Sequence, residues 1–212
     1  MKSFNKPAKT FAEQIELLKA RGMQFANQQD AQFYLEQINY YRLGAYWLPF
    51  EYSHSPHCFK PETSFEQVLA LYVFDRELRL LILDAIERLE VAVRTRFAYE
   101  LAHRHGCHAY LQGQYFKPAF RWHSLLESLK TEVSRADEVF IEHYKHTYDD
   151  PELPPIWATC EVMSFGQLSK WYQLLAPIQT GKAISSHFDC DEKQFEGLLQ
   201  HFVYLRNTCA HH

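Results

Sequence analysis

A helical hydrophobic pattern runs from Phe65 to about His105 and ends at Gly106, and no other stretch limits the fold so strongly. Leu71, Phe74, Leu78, Leu81, Ala85, Leu89 and Val93 recur at three- and four-residue steps, the period of one helical face. About forty residues is long for a single globular helix, so a break or kink is allowed for. Thr63 and Glu66 have the spacing of a capping box at its start. The polar side carries Asp84 with Arg88 and Glu90 with Arg94, each pair one helical turn apart. Glu87 lies beside Glu90. A solvated, ion-paired face accounts for most of these charges. Glu87, Glu90 and Arg94 stay open to another reading, because a buried arginine elsewhere would seek a carboxylate.

The same period governs the rest of the chain. Phe11, Ile15 and Leu18 mark a short first helix ending near Gly22. Asp30 is the expected cap of a second, with Phe33, Tyr34 and Ile38 on one face. Tyr40, Tyr41, Tyr46 and Trp47 lie in a segment too aromatic for a free loop. They could stack nucleic-acid bases, but their density favours packing. Ser53 to Pro61 reads as a loop. After Gly106 to Pro118, a helix is expected over Trp122 to His146, then an acidic proline-rich loop, a short helix at Ile156–Met163, and another opened by Ser164 with Gln167. One more short helix fits Gly181–Phe188. Asp189 with Glu192 then opens the last. The expected fold class is all-α, a helical bundle.

An apolar fraction of 47% is enough for a packed core in a chain of 212 residues. The net charge of −4 excludes a global basic field, so any nucleic-acid site must be local. Five scattered cysteines, an odd count with no CxxC pair, fit a reducing compartment. The N-terminal stretch lacks an apolar signal region, and no apolar run reaches membrane-spanning length. Together these place the chain in the cytoplasm, away from membranes.

The chemistry concentrates at the end of the chain. Phe195, Leu198, Leu199, Phe202 and Cys209 share a helical face, and Arg206 falls on that stripe. A guanidinium among apolar groups needs a negative partner, either a carboxylate at rest or a phosphate in action. Asn207 follows, with His211 four residues later on the same side of a continued helix. Arginine binds phosphate oxygens bidentately, and histidine moves protons near neutral pH. The pair could cleave RNA without metal through the 2′-hydroxyl. Residues five apart on an ideal helix differ by about 140°, so one copy brings them together only if the helix ends or bends; a symmetric dimer would supply two copies of each. By spacing alone, a surface pair is the commoner explanation.

Other groupings weigh less. His103, His105, Cys107 and His108 lie close in sequence, as do His54, His57 and Cys58. Neither set has a recognised zinc spacing, and no metal or cofactor is assigned. Cys160 with Glu161 would need a base beside the thiol to be a hydrolase, and no glycine-rich phosphate loop is present.

Several blocks together resemble a known family. Ile38-Asn39-Tyr40-Tyr41-Arg42-Leu43-Gly44-Ala45-Tyr46-Trp47 is similar to the N-terminal signature of the Abi-like (abortive infection, AbiD/AbiF-type) bacterial proteins. Residues 71–79 and 86–94 resemble their long central helix. Pro155-Ile156-Trp157, Glu161 and residues 163–169 resemble the next block, and Leu205-Arg206-Asn207-Thr208-Cys209-Ala210-His211-His212 the last. Members often continue past this point with an arginine and a tryptophan, whereas the present sequence stops at His212. The family belongs to the HEPN superfamily of helical proteins, many of them ribonucleases with an R-x4–6-H motif. The resemblance implies an HEPN-like bundle with long central helices over residues 63–212 and a short N-terminal helical arm over residues 1–62. It implies metal-independent RNA cleavage at a site composed across a homodimer, in phage defence or as a toxin, with an antitoxin RNA or protein as a further partner. Arg206 and His211 would be the catalytic pair, supported by Asn207, Glu87, Glu90 and Arg94. The rival expectation is a non-catalytic dimerising module that binds RNA or protein.

Overall fold

The long pattern folds as one unbroken helix, Phe65–His105, in the computed structural model, which describes residues 3, 5 and 7–211. Met1, Lys2, Phe4 and Lys6 of the N-terminal stretch, and His212 of the terminal motif, lie outside the described residues. Ten α-helices and one two-stranded hairpin are present among the described residues, an all-α architecture. In chain order these are α1 (Phe11–Ala20), α2 (Gln28–Gln37), α3 (Tyr40–Trp47), β1 (Glu51–His54), β2 (His57–Phe59), α4 (Phe65–His105), α5 (Ala119–Arg135), α6 (Val139–Thr147), α7 (Ile156–Val162), α8 (Phe165–Gln173), α9 (Ile178–Ser186) and α10 (Glu192–His211). Two compact units divide the chain, Met1–Leu80 and Leu81–His212, with the division inside α4.

The first unit is built around Leu18, Leu35, Leu43, Trp47, Phe59, Phe65 and Val68. A capping box of Thr10 and Glu13 opens α1, and Gly22 closes it. Gly22 N–H donates to Lys19 O and Met23 N–H to Leu18 O, with Gly22 at φ +98°. Those two bonds satisfy orphan carbonyls through a left-handed residue, which glycine adopts without a Cβ penalty. Asn27, not Asp30, caps α2: its side chain accepts from Gln29 N–H and Asp30 N–H. The buried face of α2 is Ala31 and Leu35, while Phe33 is exposed. The expected loop at Ser53–Pro61 is instead the β1–β2 hairpin, with Ser53 opposite Cys58 and His54 opposite His57. The turn chemistry of Ser55 and Pro56 hid it, because the strands are too short to show alternation.

Capping at α4 is shifted by one residue from expectation. Ser64 and Gln67 exchange the two capping hydrogen bonds, and Glu66 accepts from Ala26 N–H at 3.0 Å instead. The expected seam is also corrected. Val93 is buried, but Phe74 is 63% and Leu81 70% exposed, and Leu78 and Ala85 are open as well. Periodicity marks an apolar face without saying what covers it, and the seam positions Phe74, Leu78, Leu81 and Ala85 are exposed while Ile86, off the seam, is buried.

The second unit packs around Phe97, Leu101, Tyr110, Leu129, Ile156, Leu168 and Trp171. The single helix expected over Trp122–His146 is two, α5 and α6, separated by residues 136–138. The break leaves Val139 exposed while Ile141 is buried. Ser164 and Gln167 form the expected capping box of α8. At the start of α10 the cap is Asp191 with Gln194, not Asp189 with Glu192: Gln194 N–H donates to Asp191 Oδ1 at 2.8 Å. Asp189 sits at φ +53°, a left-handed conformation that aspartate tolerates better than most residues. No helix of the described residues is long and apolar enough to cross a membrane.

Candidate functional site at the end of the last helix

Phe195 anchors α10, stacked on Phe188 at 4.8 Å and edge-on to Tyr172 at 5.1 Å. Leu199 and Cys209 are buried along the same face, with Phe202 and Val203 half-buried between them. Leu198, expected on this stripe, is 41% exposed. α8 lies against α10 here, where Gly166 faces Val203.

Arg206 lies at the expected phase of the stripe, but it is exposed. Among the described residues, the expected structural carboxylate for it is not found. Its one described hydrogen bond is from Nη1 to Oδ1 of Asn207 at 3.5 Å. The side chain is long enough to leave the apolar surface and keep its charge in water. Glu90 is held by Arg94, and Glu87 is exposed without an ion pair among the described residues. The helix continues through His211, so Arg206 and His211 of one chain stand about 140° apart around its axis. Asn207 and His211 lie one turn apart on the solvent side. Tyr204, exposed and seven residues before His211, extends that face. Tyr204 could have been placed from sequence, since its spacing from Asn207 and His211 follows the same three-and-four rule.

Arg94 proves to be the buried arginine of the fold, 8% exposed. Its Nη2 donates to Glu90 Oε1 at 2.5 Å, and its Nη1 donates to the carbonyls of Cys160 and, at 3.0 Å, Met163. These carbonyls belong to the C-terminal end of α7, where orphan acceptors need donors. Arg94 therefore holds α7 on α4. A second charged cluster follows one turn on, where buried Glu100 accepts from Arg96 at 2.6 Å and Arg104 at 2.8 Å. The Cys160 thiol is fully buried, and burial pushes it up to about 12, which rules out a thiolate nucleophile at neutral pH.

The His103–His108 grouping disperses. His103 Nδ1 meets Tyr99 O at 2.9 Å, His105 Nε2 meets Thr180 Oγ1 at 2.7 Å, and His108 Nδ1 meets Cys107 Sγ at 3.2 Å. Burial holds His105 and His108 below the ordinary imidazole range, helped at His105 by the charge of Arg104. In the hairpin, His54 and His57 turn toward Glu51, at 2.8 and 2.9 Å from its two carboxylate oxygens. Cys58 lies beside Tyr52 instead. Of the four aromatics at 40–47, Trp47 is buried against Tyr40 and Tyr46 donates to Asp75 Oδ2 at 2.7 Å, while Tyr41 is exposed. That is mainly packing.

An all-α protein with an arginine–asparagine–histidine helix end is thus defined by fold and site. The family described as Abi-like protein matches residues 33–212, and the chain belongs to that family. No curated protein and no solved structure matches it.

Proposed function

We propose that this protein is a metal-independent endoribonuclease of HEPN type acting in phage defence, with a site composed across a homodimer. The observation that carries the reading is the state of Arg206. Within an Abi-like chain, it stands on the packed phase of α10 yet points its charge to solvent, held only by Asn207. A guanidinium left so lightly engaged is ready for a phosphate. Asn207 orients Arg206 while sharing the face of His211. Arg206 would stabilise charge on the scissile phosphate, and His211 would move the proton of the 2′-hydroxyl or the leaving oxygen. Because one helix separates the two side chains, the reading requires a second copy. The uncovered apolar seam of α4 supports one, since large exposed apolar patches mark interaction surfaces.

Purified protein should cut single-stranded RNA in the presence of EDTA, leaving 2′,3′-cyclic phosphate ends. Arg206→Ala and His211→Ala should each remove cleavage without loss of helix content. Cleavage that survives both substitutions defeats the assignment. The separation of Arg206 from His211 favours one competitor, a module that grips RNA or a protein without cutting. Under that reading a gel shift appears with RNA, weakens in Arg206→Ala, and is never followed by cleavage.

A further inference from the structure

We infer that Glu51, His54 and His57 form a binding site for a divalent transition-metal ion, with zinc the best chemical match. These three side chains are the one group of histidine, cysteine and acidic residues among the described residues whose ligand atoms all converge, within 4.8 Å of one another. Each imidazole Nδ1 faces a different oxygen of one carboxylate, at 2.8 and 2.9 Å. In a tetrahedral zinc site, ligands about 2.0–2.1 Å from the ion stand about 3.3 Å from each other. The two nitrogen–oxygen separations need to grow by about half an ångström to admit the ion, within a set whose ligand atoms all lie within 4.8 Å of one another.

The space between the rings and the carboxylate is now filled by two hydrogen-bond protons. An entering ion takes their place. Each ring then binds through Nδ1 and carries a proton on Nε2. Two imidazoles and one carboxylate are a borderline-soft donor set suited to zinc, unlike the all-oxygen sets of calcium or magnesium.

Burial and backbone both favour occupation. The Glu51 side chain is 4% exposed, and a buried carboxylate is stabilised by a positive charge facing it. A dication supplies it. The ligands come from two strands already tied in register, Glu51 opposite Phe59 and His54 opposite His57. The hairpin is fastened in turn by Phe59 N–H to Arg21 O at 2.9 Å and Lys60 N–H to Phe50 O at 2.8 Å. Little ordering remains to be done on binding. His54 is largely exposed, which gives the ion a path from solvent and leaves a fourth position open to water. Cys58 points to the other side of the strand, so the site is one of nitrogen and oxygen.

The inference is independent of RNA cleavage, which is expected to persist in EDTA. Untagged protein, stripped with EDTA and desalted, should take up one equivalent of zinc per chain by calorimetry. Zinc should also raise the thermal unfolding midpoint, because binding favours the folded state. Glu51→Gln and His57→Ala should lose this uptake, while Cys58→Ser and His103→Ala retain it. X-ray absorption of the zinc-loaded wild-type protein needs no variant, and should show a shell of nitrogen and oxygen with imidazole scattering. Absence of stoichiometric uptake overturns the inference, as does sulfur in the shell or uptake unchanged in Glu51→Gln and His57→Ala.

Discussion

Two arginines, Arg94 of α4 and Arg206 of α10, end up in opposite environments. Arg94 is enclosed by Glu90 and the carbonyls at the end of α7. Arg206 reaches outward, and its one hydrogen bond among the described residues is to the amide beside it. The difference lies in what surrounds the end of each side chain. Near Arg94, a helix terminates with unsatisfied carbonyls that need a donor. Among the described residues, Arg206 has no ion pair with a carboxylate and no bond to a carbonyl of another helix. The first arginine is therefore a fastener of the fold, and the second is free for a ligand.

The comparison is tested most severely at Arg94. Arg94→Ala leaves the Glu90 carboxylate and the Met163 carbonyl without the donor Arg94 supplies, and should cost about 3–5 kcal/mol. Urea unfolding measures it, and a loss below about 1 kcal/mol would break the contrast with Arg206. Next comes Leu199→Ala, expected to cost about 2–5 kcal/mol through the cavity left at a fully packed position of α10. It shows whether the helix that presents Arg206 is itself firmly held. Removing the cap with Ser164→Ala should cost about 1 kcal/mol at the start of α8. Arg206→Ala should leave the unfolding midpoint unchanged while abolishing the proposed cleavage.

Histidines sharpen the same contrast through pH. His105 is depressed by burial and by Arg104, so the unfolded chain binds its proton more readily than the folded one. Its contribution is present above the unfolded imidazole range and is lost as pH falls from about 6.5 toward the lower folded value. Stability should therefore decline on acidification, with a gentler slope in His105→Gln.

The sequence revealed periodicity well and cover poorly. The limits of α4, the capping box of α8 and the all-α class follow from local rules, and all three are seen. The caps of α2, α4 and α10 were displaced by one to three residues, because Asn27, Ser64 and Asp191 compete with nearby groups of equal capping strength. The hairpin was missed because its strands are four and three residues long. At the candidate site, the motif and its helix were legible. Which arginine would be buried was not, since that depends on the far-off carbonyls of Cys160 and Met163. Glu51 escaped notice beside His54 and His57 for a similar reason: a bulge between Glu51 and Ser53 alters the register that aims it.

The burial of Cys160 has a practical use. Its sulfur is sealed beneath the end of α7, directly beside the carbonyl that Arg94 holds. A thiol reagent can reach it only when the packing around α7 opens. Cys58, Cys107 and Cys190 are partly accessible and should react sooner. The slow labelling of Cys160 then serves as a stopwatch on one latch of the fold, readable by mass spectrometry without any substitution.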